Sequence, residues 1–239
     1  MSEEVAELIR ALDTPTGDDA EEARASLRSM GAVAVAALLK ALPELGFFGK
    51  LTAIEVCEES GDQTSGPSLI GLLSSEFDVV RERSATALRV LGITAAIPAL
   101  ELAYEVTKRN AIPPDWTEPA AMRHALAALG ARKPVVPALT RNLARKISHA
   151  TVWPSARLRD VLEDLSAAGQ VCAYFQIWTE NADGHLYWVS DAPRYNLDWT
   201  LRWPDLLTQA RELSIAAADR VVAAPNVVAT IEWLGQGDV

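Results

Sequence analysis

The side chains that most often perform acid–base or metal chemistry are few and scattered in this chain of 239 residues. Its three histidines, His124, His149 and His185, lie in a helical pattern, in a link between two differently patterned segments and in a turn. Cys57 and Cys172 are far apart and lack the spacing of a metal site. The sequence contains no phosphate-binding loop, nucleophile elbow or His-Glu-x-x-His motif. We therefore expect no metal and no cofactor, and we favour a non-catalytic protein over an enzyme.

Adjacent carboxylates, such as Glu58-Glu59 and Glu163-Asp164, are the other pattern that could suggest acid–base work. Neighbouring residues on a helix point about 100° apart, so they do not converge on one ion or one substrate atom. Where such a pair opens a helix, as Asp18-Asp19 does, the helix dipole favours its negative charge. These pairs predict a solvated helix surface rather than a site.

The net charge of −10 is unevenly distributed along the chain. Residues 1–120 carry −10 and residues 160–239 carry −8, whereas residues 121–159 hold eight basic side chains and no acid. Affinity for phosphates depends on many lysines and arginines, so the overall acidity disfavours nucleic acid as the main partner. Two interpretations of the basic segment stay open: a surface for nucleic acid, and an internal counterweight to the acidic flanks.

The elements that would position any site follow a repeat in the first 147 residues. Four glycines, Gly31, Gly61, Gly92 and Gly130, each end one apolar segment of helical period and precede a second one. Their spacings are 30, 31 and 38 residues. Glycine is the expected C-cap between paired helices, so the pattern predicts four helix pairs, preceded by a helix at residues 2–12.

The four pairs together resemble the HEAT repeat, in the short bacterial form also found in phycobilisome lyase subunits, and the resemblance covers about 60% of the chain. The best matches are residues 78–92 with Ile97-Pro98-Ala99-Leu100 in the third pair and residues 121–139 in the fourth, whereas the first two pairs depart from the pattern. The resemblance implies an α-solenoid, in which helix pairs bury their apolar faces by stacking. It implies little about function, because such repeats occur in adaptors, lyase subunits and DNA-repair enzymes.

In HEAT-like folds the second helices line the concave side, so the resemblance implies a groove there. The polar side chains expected to form its binding surface are Glu101, Glu105, Lys108, Arg141, Asn142 and Arg145. We interpret them as a mixed-charge surface for another protein; the alternative is that the charged pairs join neighbouring helices, at about 0–1 kcal/mol for each exposed bridge. Trp116, in a proline-rich insertion, either contacts a partner or packs on its own repeats.

The pattern changes after residue 150, and six of the seven tryptophans follow that point. We predict a small α+β domain of order α-β-β-β-α-β, with an antiparallel sheet covered on one face by two helices. Its strands are expected at residues 171–179, 186–190, 195–203 and 226–234, and its helices at 154–168 and 204–224. The predicted fold class is therefore mainly α, with a HEAT-like solenoid at residues 1–147 capped by this domain at 150–239.

Two further surfaces of this domain are candidates for binding. Tyr174, Gln176 and Trp178 share one strand face, which is expected either to be covered by the end of the solenoid or to bind a partner. The remaining candidates, near the predicted domain junction, are His149, Trp153 and Arg157, where a pocket for a small ligand would form.

The leading functional hypothesis is a bacterial protein that binds another protein, for instance as an immunity or regulatory partner of a basic target. The alternative is a nucleic-acid-binding protein, similar to HEAT-like DNA glycosylases, that uses the basic segment at residues 121–159. A third hypothesis is an enzyme subunit with a ligand at the domain junction. No apolar stretch approaches the ~18 residues of a membrane span, and the acidic N-terminus is unlike a secretory signal. We therefore expect no membrane partner and a cytoplasmic location.

Overall fold

The computed structural model describes residues 3–13, 18–110, 117–132, 136–147, 150–189 and 193–238. The chain divides into two compact units. Unit 1 comprises Met1–Ala111 and Trp116–Lys133, and unit 2 comprises Ile112–Asp115 and Pro134–Val239. Residues 134–147, which the sequence pattern placed with the helical repeats, therefore belong to the second unit.

The described residues of unit 1 form helices joined by short turns, as the glycine-punctuated pattern predicts. The eight α-helices among them are α1 (Glu3–Ala11), α2 (Asp18–Ser29), α3 (Ala32–Ala41), α4 (Phe47–Ser60), α5 (Gly66–Leu72), α6 (Asp78–Val90), α7 (Ile97–Asn110) and α8 (Thr117–Ala128).

The helices of unit 1 pack in a regular order. The even-numbered helices α2, α4, α6 and α8 each pack against the next, and α3, α5 and α7 pack against α4, α6 and α8. The core between them is built from leucines that are wholly buried, with Leu38, Leu69, Leu88 and Leu100 at 0–1% exposure. Each such side chain contributes roughly 1.5–3 kcal/mol through burial, which is why paired helices that are individually amphipathic assemble.

The glycines that end the first helix of each pair have the backbone conformation that the sequence predicts. Gly61 and Gly92 have φ of 68°, and Gly130 has φ of 85°. These left-handed values are strained for residues with a Cβ, so glycine ends one helix and lets the next begin after a short turn.

Helix α4 takes its N-terminal cap from a residue far away in the sequence. Asp13, just after α1, accepts hydrogen bonds from the backbone N–H of Gly46 at 2.9 Å and of Gly49 at 2.7 Å. A Cβ at Gly49 would clash with the Asp13 carboxylate in its present position, so glycine permits this close approach. The carboxylate therefore satisfies two of the donors that a helix start leaves unpaired.

We expect Asp13→Ala to lower the free energy of unfolding by about 1 kcal/mol, because the two N–H groups lose a charged acceptor. Urea denaturation followed by circular dichroism measures the loss. Glu44→Ala is the matched control, since it removes an exposed carboxylate near the same helix start and should change stability by less than about 0.5 kcal/mol. Equal losses in the two variants would contradict the capping role.

The described part of unit 2 combines three α-helices with one antiparallel sheet. Its elements in chain order are α9 (Ala138–Leu143), β1 (Arg145–Ile147), β2 (Ala150–Pro154), α10 (Leu158–Ala167), β3 (Val171–Glu180), β4 (Leu186–Trp188), α11 (Trp203–Ala218) and β5 (Val227–Leu234). The strand order is β1-β2-β5-β3-β4, and every neighbouring pair is antiparallel.

The two longer helices of unit 2 lie on the same side of this sheet. Leu158, Leu162 and Leu165 of α10 form one buried cluster with Ile215 of α11, and with Phe175 and Ile177 of β3. A register shift between Cys172 and Tyr174 interrupts the β3–β5 pairing. An antiparallel sheet with helices against one face agrees with the sequence prediction.

The predicted strand at residues 195–203 is wrong. The burial there alternates as expected, with Leu197 and Trp199 partly buried and Asp198 exposed, but no sheet pairing forms. The segment instead satisfies its backbone through side chains: the Asp198 N–H donates to Gln209 Oε1 at 2.7 Å, and the Thr200 N–H donates to the Asp198 carboxylate at 3.0 Å. The apolar side chains pack as a strap over Val171 and Leu206.

Candidate functional site

Helix α7 presents an unusual exposed face in unit 1. Leu102 is 70% exposed and Val106 is 52% exposed. They lie one turn apart and form an apolar row beside a parallel acidic row of Glu101 and Glu105, which are exposed as well. We call these four residues the α7 surface. The opposite face of the same helix buries Leu100 and Tyr104, so the apolar row lies outside the core-facing stripe.

Lys108 partly neutralises the negative charge of the α7 surface at the Glu105 end. Its Nζ lies 2.9 Å from the Glu105 Oε1 and 5.6 Å from the centre of the Tyr104 ring. The Arg132 guanidinium lies over the same ring at 4.9 Å. Two cations near one buried aromatic ring anchor the side of α7 that faces the core, while Glu101 stays exposed.

The basic residues that the sequence placed on the same surface belong to unit 2. Arg141 and Asn142 are exposed on α9, and Arg141 donates to the backbone carbonyl of Val136 at 2.9 Å. Arg145, on β1, pairs with Glu180 of β3 at 2.9 Å. The ion pairs of these side chains therefore lie within one unit each: Glu105 with Lys108 in unit 1, and Arg145 with Glu180 in unit 2.

The basic segment at residues 121–159 is largely engaged with the protein's own acids and core. Arg123 is buried, Arg157 pairs with Asp160 at 2.6 Å, and Arg159 pairs with Asp219 at 2.7 Å. Hydrogen bonds to Asp219 raise the pKa of Arg159. Together with Arg145, these contacts favour the counterweight interpretation, because a surface for nucleic acid needs its cations directed to phosphates.

Of the other predicted site residues, Trp116 and His149 lie outside the described residues, whereas Trp153 and Arg157 lie in unit 2. Trp153 is 2% exposed in the core of unit 2, where its indole N–H donates to the carbonyl of Thr140 at 2.7 Å. Arg157 is exposed beside α10. The contacts of Trp153 are those of a structural residue.

A second cluster, absent from the sequence prediction, crosses the even-numbered helices of unit 1. Arg24 of α2 pairs with Glu55 of α4 at 2.8 Å, Arg28 pairs with Glu59, and Arg83 of α6 lies 3.8 Å from Glu55. We call this cluster the charge ladder. It surrounds a cleft of about 240 Å³ whose lining is charged throughout: Arg24, Arg28, Glu55, Glu58, Glu59 and Arg83.

The charge ladder continues to the next helix through a better-shielded pair. Arg81 of α6 donates to both carboxylate oxygens of Glu118 at the start of α8, at 2.5 and 3.1 Å, and to the carbonyl of Ser75 at 2.6 Å. The hydrogen bond to Glu118 raises the pKa of Arg81. Since three arginines balance three glutamates in the cleft, the cluster joins helices and leaves no net charge for a ligand.

The described residues hold no group of three or more His, Cys, Asp or Glu side chains arranged for a metal ion. Burial raises the pKa of the Cys57 thiol to about 11, and the Asp62 charge adds to this, so the thiol is protonated and unreactive at neutral pH. None of the described helices combines the length and apolar character needed to cross a lipid bilayer.

The residues missed by sequence reasoning left recognisable signals. Leu102 and Val106 are four residues apart but out of phase with the buried row of α7. Arg24 and Arg28 each pair with a glutamate 31 residues further on, which equals the repeat spacing between Gly61 and Gly92. Exposed apolar side chains and repeat-spaced opposite charges are therefore the patterns to search for.

Comparison with protein families, with curated proteins and with solved structures finds no match to this chain. The candidate site therefore stands on geometry alone, and the α7 surface is its best-defined part. It has the composition of a surface that another protein covers, an apolar row with a charged border.

Proposed function

We propose that this chain is a non-catalytic protein of HEAT-like helical repeats whose α7 surface binds a basic protein partner. The observation that supports the proposal is the exposed apolar row of Leu102 and Val106 beside the acidic row of Glu101 and Glu105. The regular packing of α2 to α8 agrees with a repeat architecture, in which consecutive helix pairs build one extended surface.

The chemistry of the α7 surface defines the partner it would take. A helix or loop with one apolar anchor flanked by lysines or arginines would bury Leu102 and place its cations against the two glutamates. Apolar burial supplies about 25 cal/mol per Å², whereas the charges accelerate encounter and exclude acidic partners. The net charge of −10 adds long-range attraction for a basic target, and this attraction weakens as salt is added.

We expect a tagged pull-down from the native cells at low salt to recover one basic protein in stoichiometric amount, with or without nuclease treatment. Glu101→Lys with Glu105→Lys should weaken its binding at least tenfold, because the reversed charges repel the partner's cations. The matched control, Glu44→Lys with Glu76→Lys, changes the net charge equally at two exposed residues of unit 1 and should alter the dissociation constant less than threefold. Isothermal titration with the recovered partner measures both.

Different failures of this experiment have different meanings. Recovery that disappears with nuclease overturns the protein-binding proposal and makes the basic segment the functional surface. In that case Arg141→Glu with Arg145→Glu should abolish binding to nucleic acid. A partner that binds both double variants equally well places the interface elsewhere and overturns the role of the α7 surface alone.

A further inference from the structure

Strand β4 ends the sheet of unit 2 on one side. Among the described residues it pairs only with β3, through Trp178 with Trp188, Thr179 with Tyr187 and Glu180 with Leu186. Its other edge faces away from the sheet. Such an edge carries unpaired backbone groups and is a ready template for a further strand.

The phase of the hydrogen bonds shows which groups of β4 point outward. The N–H of Val189 donates to the carbonyl of Ile177, and the N–H of Asn181 donates to the carbonyl of His185. In an antiparallel ladder every second pair exchanges bonds, so Tyr187 is the bonded residue between these two. The N–H and C=O groups of Leu186 and Trp188 therefore point away from β3, and the described residues provide them with no hydrogen-bond partner.

Two side chains of β4 are exposed to solvent, in addition to its backbone edge. Tyr187 is 57% exposed and Trp188 is 54% exposed. The strand contains neither a charged residue nor a proline, which are the usual means by which proteins prevent edge pairing. Two aromatic side chains on an unprotected edge are therefore available to a second strand on both faces of the sheet.

We propose that β4 pairs antiparallel with β4 of a second copy of this chain, around a two-fold axis at Tyr187. This register sets Leu186 opposite Trp188 of the second copy, so the outward groups of both strands form four backbone hydrogen bonds and none is left over. The two copies of Tyr187 then face each other as a non-bonded pair, in which side chains approach most closely. A two-fold contact of this kind closes on itself and gives a dimer.

The length of β4 favours its own copy over a longer foreign peptide. The strand offers only two residues with outward-pointing backbone groups, and the same strand of a second copy pairs with both of them and leaves none of its own outward groups unpaired.

Cysteine cross-linking tests the register directly. In a non-bonded antiparallel pair the Cα atoms lie about 4.5 Å apart, within the range that a disulfide spans. We expect Tyr187→Cys to form a covalent dimer under mild oxidation, and Val222→Cys, at a 77% exposed residue outside the sheet, to stay monomeric. The native Cys57 and Cys172 are buried and do not compete. Absence of the Tyr187→Cys dimer, or equal cross-linking of both variants, overturns the proposal.

Light scattering of the unmodified chain gives the independent test. At about 100 μM, where even a weak interface is populated, the wild-type protein should show twice the 25.8 kDa mass of one copy. Tyr187→Lys should raise the dimer dissociation constant at least tenfold by placing like charges face to face, whereas Val222→Lys should leave it unchanged. Equal melting temperatures of the two lysine variants establish that both are folded. A monomeric wild type, or a dimer that survives Tyr187→Lys, overturns the proposal.

Discussion

Replacing Trp153 by alanine is expected to lower the free energy of unfolding of unit 2 by about 3–5 kcal/mol, the usual range for a buried tryptophan. Its side chain is 2% exposed and packs edge-on against Trp233, with ring centres 5.7 Å apart. The substitution also removes the donor to the Thr140 carbonyl. Thr140 is wholly buried and belongs to a network, since its N–H and hydroxyl both donate to the Asp164 carboxylate at 2.7 Å.

Urea denaturation, with amide hydrogen exchange to locate the loss in unit 2, measures this effect. Trp153→Phe separates the two contributions, because it keeps most of the packing and loses the hydrogen bond; its expected cost is about 1–3 kcal/mol. Trp188→Ala removes the same side chain from an exposed site and should cost less than about 1 kcal/mol in dilute solution, where self-pairing does not contribute. Comparable losses at Trp153 and Trp188 would contradict the assignment of Trp153 to the core.

The second large effect is expected at the pair of Arg81 and Glu118. Glu118→Ala should lower the free energy of unfolding by about 2–3 kcal/mol, because it leaves the half-buried Arg81 guanidinium without the carboxylate that accepts two of its hydrogen bonds. The cost stays below that of a fully buried pair, since 23% of the Arg81 side chain reaches solvent while Glu118 shows 9%. Urea denaturation of unit 1 measures the loss.

A double variant decides whether the ion pair has a net stabilising effect or only offsets the cost of burying its two charges. Arg81→Leu with Glu118→Leu should recover most of the stability, because no unpaired charge is left behind. Asp160→Ala breaks the exposed pair with Arg157 and serves as the surface reference, with an expected cost below about 1 kcal/mol. The interpretation fails if Glu118→Ala is as mild as this surface variant.

The helical part of the fold was accessible to sequence reasoning because its signals are local. Gly61 and Gly92 end α4 and α6 with left-handed backbones, and Pro67 and Pro98 lie in the first turns of α5 and α7. Such features depend on a few neighbouring residues, so pattern and structure agree. The long strands β3 and β5 were predicted for the same reason, since each is rich in β-branched and aromatic residues.

The elements that escaped prediction depend on contacts between distant parts of the chain. Strands β1 and β2 are only three and five residues long, and β2 is held by β5, whose paired residues Val228 and Ala229 lie about 75 residues further on. Conversely, Leu197 and Trp199 alternate like a strand but have no ladder, because Gln209 takes the place of a partner strand at Asp198.

The candidate site was predicted only in part, and the reason is again physical. Polar residues on the second helices, Glu101 and Glu105 among them, could be expected at the surface from helical period. The exposure of Leu102 and Val106 could not be predicted. An apolar residue next to a buried row is as compatible with a broad core-facing stripe as with a binding surface. The 31-residue spacing of the charge ladder was visible but carried no indication of contact.

The charge ladder has a consequence for how this chain can change in length. Along the even-numbered helices the facing charges alternate in sign: arginines on α2, glutamates on α4, arginines on α6 and a glutamate on α8. Loss of the single helix pair α4 and α5 would remove the glutamates that lie between the arginines of α2 and those of α6, and would bring like charges towards each other. Tandem duplication of the same pair would instead set glutamates against glutamates. The charge ladder therefore disfavours a change in the number of helix pairs at this part of the array.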